Sequence, residues 1–343
     1  MSKGWKVAIL GATGAVGRAM CDILAESSIE IEELRLLCTS RSEGSAIPFR
    51  DETHPARAVT PESFQGIDLA LFSAGAGASE TWAPVARRAG AWVIDNSSRF
   101  RLDRDVPLIV PEVNERRIPQ EPSLIANPNC STIQMVVALR PLQERFGLEE
   151  VFVSTYQSAS GAGEKGVRAL RNELAGEPHE ENGYRFPQRL AGNVVPQCDL
   201  FLEDGYTREE DKMVRETQKI LELPELPVHP TCVRVPVLVS HSESVYARLG
   251  SGFEIGEVRA LLESAPGVRL FDDPQASGYP TAALATGTDP VWVGRLRRDR
   301  QDPRGLHLWI VADNLRKGAA LNAVQIALLL WERRVAALSH TSR

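Results

Sequence analysis

Three features of the sequence predict an α/β protein in two parts. A short apolar strand near the N-terminus runs directly into a glycine turn and a helix. Strands and helices keep alternating through the first part of the chain. From Val151 the strands become alternating or β-branched. The first two features predict a Rossmann-type, doubly wound sheet, and the third an α+β domain on a mixed sheet. A chain of 343 residues has room for two cores. The boundary is expected near Cys130, giving domains 1–130 and 131–314, with a C-terminal helix in 315–343 assigned back to the first domain.

Composition narrows the function classes. An apolar fraction of 43% and a charged fraction of 24% are ordinary for a globular chain. The net charge of −6 is spread over interspersed signs, so no basic face for nucleic acid is expected. No stretch reaches the roughly 20 apolar residues of a membrane span. A strand pattern begins within a few residues of the N-terminus, so no signal peptide is expected. The five cysteines, Cys21, Cys38, Cys130, Cys198 and Cys232, are scattered and odd in number. Their spacing implies neither a disulfide framework nor a metal site, and a reducing cytoplasm fits best.

Each element has a local reason. Trp5 to Leu10 reads as a buried strand, Gly11-Ala12-Thr13-Gly14-Ala15-Val16-Gly17 as the turn, and Arg18 to Glu26 as an amphipathic helix. In this order Gly11 allows a tight turn, Gly14 lets backbone approach a pyrophosphate, and Gly17 lets the helix pack on the strand. The alternative is a tight turn with no ligand. The strand Leu34 to Cys38 ends in Thr39-Ser40-Arg41-Ser42. Arg41 between two hydroxyls suits a ribose 2′-phosphate better than a 2′-hydroxyl, so NADP is expected; an exposed loop arginine is the alternative. Asp68 to Phe72 reads as a strand ending in Ser73-Ala74-Gly75, small residues that leave room for a nicotinamide ribose. A helix from Glu80 to Ala89 and a strand from Ala91 to Ile94 follow, then Asp95-Asn96-Ser97-Ser98-Arg99-Phe100-Arg101.

In the second part, Asn127-Pro128-Asn129 ends one segment, and Ser131 and Thr132 lead into a helical pattern from Ile133 to Phe146. Cys130 therefore lies at or just before a helix N-terminus, where unpaired N–H groups and the dipole favour a thiolate. Val151 to Tyr156 reads as a strand, Gly166 to Ala175 as a helix, and 177–196 as a polar loop. Thr207 starts a helix with capping-box spacing to Glu210 that runs to about Leu221. Strands are expected at Val233 to Val239, Ser244 to Leu249, Val291 to Leu296 and Leu306 to Val311, and a long helix at Gly318 to Val335. A reactive cysteine works with a histidine. His54, His179, His229 and His340 read as loop residues and His307 as a structural strand residue. His241 closes an apolar strand among hydroxyls and a carboxylate; pattern alone equally allows a satisfied strand-end histidine.

These residues resemble the aspartate-β-semialdehyde dehydrogenase family. The resemblance spans nearly the whole chain: GATGAVG from Gly11, SRS from Ser40, FSAG from Phe72, DNSS from Asp95, NPNCSTIQ from Asn127, YQSASGAG from Tyr156, GYTREEDKM from Gly205, VRVPVLVSHSESV from Val233 and DNLRKGAALNAVQIA from Asp313. It implies that Cys130 is the nucleophile, His241 the acid and base, Gln157 the residue that orients substrate, and Asn129 part of the site around the thioester oxygen. It implies that Arg101 and Lys212 hold phosphate, Glu209 the substrate amine and Arg234 the carboxylate. On spacing alone, Glu209 and Lys212 read equally as a surface ion pair. NADP would contact Gly11, Thr13, Gly14, Ala15, Val16, Ser40, Arg41, Ser42, Ser73, Ala74, Gly75, Ser160, Gly161 and Asn314, with no metal. Arg99 occupies a usually small position, and Ala76 one that is often glycine.

The reaction implied is NADPH-dependent reduction of L-aspartyl-4-phosphate to L-aspartate-4-semialdehyde, with release of phosphate, in lysine, threonine, methionine and isoleucine biosynthesis. A homodimer through the second-domain sheet is implied, with a tetramer as the alternative. Competing readings are an N-acetyl-glutamyl-phosphate reductase, a non-catalytic paralogue that binds or scaffolds, and a cysteine hydrolase, which leaves the glycine turn unused.

Overall fold

A computed structural model describes residues 4–177 and 186–341. It divides into two compact units, one running to Pro128 and resumed from Ala319, the other Asn129–Gly318. Asn129, Cys130 and residues 315–318 thus belong to the second unit rather than the first.

The first unit contains β1 (Trp5–Leu10), α1 (Ala15–Glu26), β2 (Ile31–Cys38), the hairpin β3 (Ala46–Phe49) and β4 (Glu52–Pro55), β5 (Arg57–Ala58), β6 (Leu69–Phe72), α2 (Ala76–Arg88), β7 (Trp92–Asp95), α3 (Pro111–Asn114) and β8 (Leu124–Ala126). Its sheet order is β5-β2-β1-β6-β7-β8 with every pair parallel. One face packs Val7 and Ile9 against Met20 and Leu24 of α1; the other packs Ala8 and Leu10 with Phe64, Phe72 and Ala83 of α2. Strand order reverses between β1 and β6. Their C-terminal loops therefore flank the crevice where doubly wound sheets bind ligands.

The second unit contains α4 (Cys130–Phe146), β9 (Leu148–Gln157), α5 (Gly163–Leu174), α6 (Arg208–Leu221), β10 (Val228–Arg234), β11 (His241–Leu249), α7 (Ile255–Ser264), β12 (Val268–Leu270), α8 (Ala282–Ala285), β13 (Val291–Arg298) and β14 (Gly305–Ala312). Its sheet order is β10-β9-β11-β14-β13-β12. The pairs β10/β9 and β12/β13 are parallel and the others antiparallel, so the sheet is mixed. A π-turn over Arg316–Ala320 leads into α9 (Leu321–Thr341). This last helix packs in the first unit, where Trp331 meets Trp5 edge-on at 5.2 Å.

Four expectations need correction. The strand expected at Val233 to Val239 ends at Arg234, because its partner β9 stops at Gln157: the Val235 amide still donates to Gln157 O at 3.0 Å, but the Val237 amide turns back to Val235 O at 2.8 Å. Arg234 and His241 therefore sit on different strands, and His241 opens β11 rather than closing an apolar strand. Both strands pair with β9, in opposite directions, so their site ends meet at Gln157 and Tyr156. His54, His229 and His340 lie in β4, β10 and α9, not loops; the ring of His229 stacks on Phe152 at 4.4 Å. The final helix starts at Leu321, after the π-turn. The described part of 177–196 holds only a bridge between Val195 and Arg234, while 178–185, including His179, lie outside the described residues.

Candidate active site

Asn129 builds the start of α4. Its Oδ1 accepts from the Ser131 and Thr132 amides at 3.0 and 3.2 Å, which places Cys130 as the first helical residue. Cys130 is half-buried, whereas the other four cysteines are buried. Burial pushes the Cys21 and Cys198 thiols up to about 12, and Cys232 is also raised. The Cys130 side chain leans on Gly318: a Cβ at 318 would lie 2.8 Å from Cys130 Cβ.

The cap continues into a carboxylate cluster. Asn129 Nδ2 donates to Glu209 Oε1 at 2.8 Å, and the Asn129 amide to Glu216 Oε2 at 2.6 Å. Gln157 Nε2 donates to Ser131 Oγ at 2.9 Å and to Glu209 Oε1 at 3.2 Å. Lys212 Nζ bridges Glu209 Oε2 at 3.1 Å and Asp199 Oδ2 at 2.7 Å. Glu209 is 7% exposed, which rules out an ordinary surface ion pair. Burial opposes its ionisation, but Lys212, the Asn129 amide and Arg234 outweigh burial and hold its carboxyl down at about 2. Burial likewise opposes the charge on Lys212, and its two carboxylates raise it to about 12.

The histidine has its own support. His241 is fully buried; the Ser158 N–H donates to its Nδ1 at 3.0 Å. An N–H donor at Nδ1 requires a lone pair there, so the neutral ring carries its proton on Nε2. Among the described residues Nε2 has no hydrogen-bond partner. Burial and then the Arg234 charge lower His241 to about 3, so the ring is neutral at working pH. Arg234 Nη1 donates to the Ser158 carbonyl at 2.6 Å. Gly161 keeps this corner open: a Cβ there would fall 2.6 Å from Arg234 Nη1 and 3.1 Å from His241 Nε2. Asn314 Oδ1 accepts from Ser158 Oγ, Ser160 Oγ and the Ser240 amide at 3.2, 2.9 and 2.9 Å. The polar groups of Ser160 and Asn314, read from sequence as cofactor contacts, thus brace the histidine.

In the first unit, Gly11 has φ +89, and a Cβ there would lie 2.7 Å from the Ser73 carbonyl carbon. A Cβ at Gly17 would fall 2.1 Å from Gly11 O, so α1 packs against the turn only through glycine. Gly14 caps α1 with no side-chain hydrogen bond to the first-turn amides. Gly75, at φ +86, plays the same part for α2 after Ser73 and Ala74. Ser40, Arg41 and Ser42 form a single 3₁₀ turn after β2, with Ser40 and Arg41 exposed. Asp95 accepts from Ser79 Oγ, Ser97 N and Ser97 Oγ, which shapes the loop to Arg101. Arg101 is buried and donates to Asn96 O at 2.9 Å. Arg99 pairs with Glu80 and Asp103 at 3.0 and 3.6 Å.

Sequence reasoning missed Glu216, Asp199, Ser158, Gln134 and Gly318. Glu216 had a signal, since 209, 212 and 216 share a face at helical spacing. Asp199, with φ +69 in an irregular segment, had none.

Residues 6–121 match the family described as "Semialdehyde dehydrogenase, NAD binding domain", and residues 139–317 match "Semialdehyde dehydrogenase, dimerisation domain". The aspartate-semialdehyde dehydrogenase of Aquifex aeolicus is 48% identical over 333 residues, covering 95% of this chain and 98% of its own. The chain belongs to the aspartate-semialdehyde dehydrogenase family. The Bacillus subtilis member is 46% identical over 337 residues, covering 95% of this chain and 97% of its own. Among solved structures, the Vibrio cholerae aspartate semialdehyde dehydrogenase II complexed with ASA superposes with TM-score 0.90 at 46% identity, covering 96% and 98% of the two chains. The Candida albicans family member solved with NADP gives TM-score 0.74 at 25% identity, covering 95% of this chain and 98% of that one. Family membership makes the chain an oxidoreductase, and among the described residues no helix is long and apolar enough to cross a membrane.

Proposed function

We propose that this chain reduces L-aspartyl-4-phosphate to L-aspartate-4-semialdehyde through a Cys130 thioester. The observation that carries the reading is the half-buried thiol at the Asn129-capped start of α4, with Gln157 and Glu209 bonded into the same cap. The Cys130 sulfur attacks the acyl carbon, the C–O bond to phosphate breaks, and the leaving phosphate goes to Arg101 and Lys212. Glu209, ionised at working pH, takes the substrate ammonium, and Arg234 its carboxylate. NADPH, when bound, supplies the hydride that reduces the thioester. His241 presents Nε2–H to the oxygen that gains charge as the thiohemiacetal forms; a preorganised donor of this kind contributes about 3–4 kcal/mol in comparable sites. Collapse of the thiohemiacetal re-forms the carbonyl and returns the electron pair to sulfur.

The dinucleotide fit rests on the Gly11–Gly17 packing and the uncapped N-terminus of α1, and the preference for NADP on Arg41 with Ser40 and Ser42. A homodimer through the second-unit sheet is part of this reading, as are a cytoplasmic setting and amino-acid biosynthesis. The test is phosphate-dependent oxidation of aspartate semialdehyde with NADP. Wild type is expected to be active and Cys130→Ala inactive; full activity in the variant refutes the thioester, and a preference for N-acetyl-glutamate semialdehyde moves the chain to that reductase.

A further inference from the structure

Behind the reacting residues lies a polar pair that the chemistry above does not use. Glu243 follows His241 by two residues on β11, so both side chains leave the same face of the sheet, the face that α4 covers. Glu243 is fully buried, opposite Thr155 of β9 and Ile310 of β14. Its inward neighbours on those strands, Val153 and Leu308, carry no charge. Neither carboxyl oxygen has a hydrogen bond within the ordinary limit among the described residues, nor does Gln134 Oε1. Gln134 is fully buried on α4, one turn beyond Cys130, and its Nε2 donates to the His241 carbonyl at 3.4 Å.

A buried carboxylate without a cation is too costly to persist, so the group neutralises instead. Burial holds the Glu243 carboxyl well above the usual carboxylate range, and the Gln134 side chain is the group that acts in the opposite sense. No charged group contributes: neither His241, Tyr246 and Arg248 on its own strand nor Cys130, Arg140, Glu144 and Arg145 on α4. Only the acid form has an O–H to offer the Gln134 oxygen. A carboxylate would instead draw the Gln134 amide nitrogen away from His241.

We propose that Glu243 is a positioning residue, a neutral carboxylic acid whose O–H is directed at Gln134 Oε1, and that this pair latches the β11 backbone at His241 to the helix begun by Cys130. The activity arm of the test rests on the proposed thioester chemistry; the stability arm does not.

The experiment compares wild type, Glu243→Gln and Glu243→Leu by denaturant unfolding at several pH values and by kcat and KM in the phosphate-dependent assay. A folded-state pKa above the unfolded value means that folding takes up a proton. Wild-type stability should therefore fall relative to Glu243→Gln as pH rises above the unfolded carboxyl range, by about tenfold in the folding constant per pH unit, and match it at low pH. The glutamine amide can replace the O–H, so Glu243→Gln should keep kcat within about threefold. Glu243→Leu should lose about tenfold in kcat at unchanged KM, the worth of one hydrogen bond. Parallel pH curves for wild type and Glu243→Gln overturn the neutral acid, and wild-type kcat in Glu243→Leu overturns the latch. If the leucine variant does not fold, the wild-type and glutamine curves still decide. A wild type with normal pH-linked stability but no dehydrogenase activity refutes the proposed function and leaves the neutral acid standing.

Discussion

Gly318→Ala adds one methyl group beside the proposed nucleophile. Its Cβ would lie 2.8 Å from Cys130 Cβ, 3.3 Å from Cys130 Cα and 3.5 Å from Asn314 Cβ. Carbon atoms rest at about 3.5–4.0 Å, so roughly 1 Å of separation has to be found. No side-chain rotation supplies it, because the clash is with Cβ itself, on a residue whose backbone opens α4 and is held by the Asn129 cap. The backbone of residue 318 lies outside the left-handed region, so the effect is steric and not torsional. A misplacement of about 1 Å at a reacting atom costs about 10²-fold in rate, and overpacking costs about 1–3 kcal/mol of stability. The assays are kcat for semialdehyde oxidation, the rate of Cys130 alkylation and a thermal melt. Gly252→Ala, with nothing within 4 Å of the added Cβ, is the control. A folded Gly318→Ala enzyme with kcat within about threefold of wild type would refute the reasoning.

Two further outcomes follow from the same geometry. Arg41→Ala should raise KM for NADP by about 10–100-fold, the value of a lost charge-assisted contact to phosphate, while KM for NAD stays near wild type; equal effects on both cofactors place the selectivity elsewhere. His241 has a folded pKa of about 3 against an ordinary 6.5, so the unfolded chain binds the extra proton between those values. Its contribution to stability is full above pH 6.5 and is lost as pH falls towards 3; His241→Gln should flatten that part of the stability curve, and an unchanged slope would count against a neutral buried ring.

Elements whose identity depends on neighbours in the chain were legible. The Trp5–Leu10 strand was read to the residue, since a short apolar run meets a glycine turn at once. Thr207 and Glu210 announced α6, and the structure shows the reciprocal capping box. Glu210 also accepts from the Cys232 amide at 2.9 Å, which no local pattern displays. The sequence failed where a local apolar run and a long-range ladder disagree. Val233 to Val239 is β-rich, yet β9 ends at Gln157, the Val237 amide turns back to Val235 O, and Ser240 at φ +75 turns the chain so that His241 starts the next strand. Helix α7 is not legible by pattern because it buries only Val258 and Leu262, too short an apolar stripe to stand out.

The sequence by itself determined the glycine turn, the capped thiol and the i, i+3 carboxylate and lysine, because each is held by bonds within a few residues. Tertiary structure alone decided the electrostatic state of the site. Glu209 is ionised because Lys212, Asn129 and Arg234 converge on it from three elements. His241 is neutral, with its proton on Nε2, because the Ser158 amide arrives from β9's end in a dry interior. Charge and tautomer depend on desolvation and on which dipoles face a group; beside the nearby Lys212 and Arg234, the decisive dipoles come from Asn129 and Ser158, about 80 positions away in the chain.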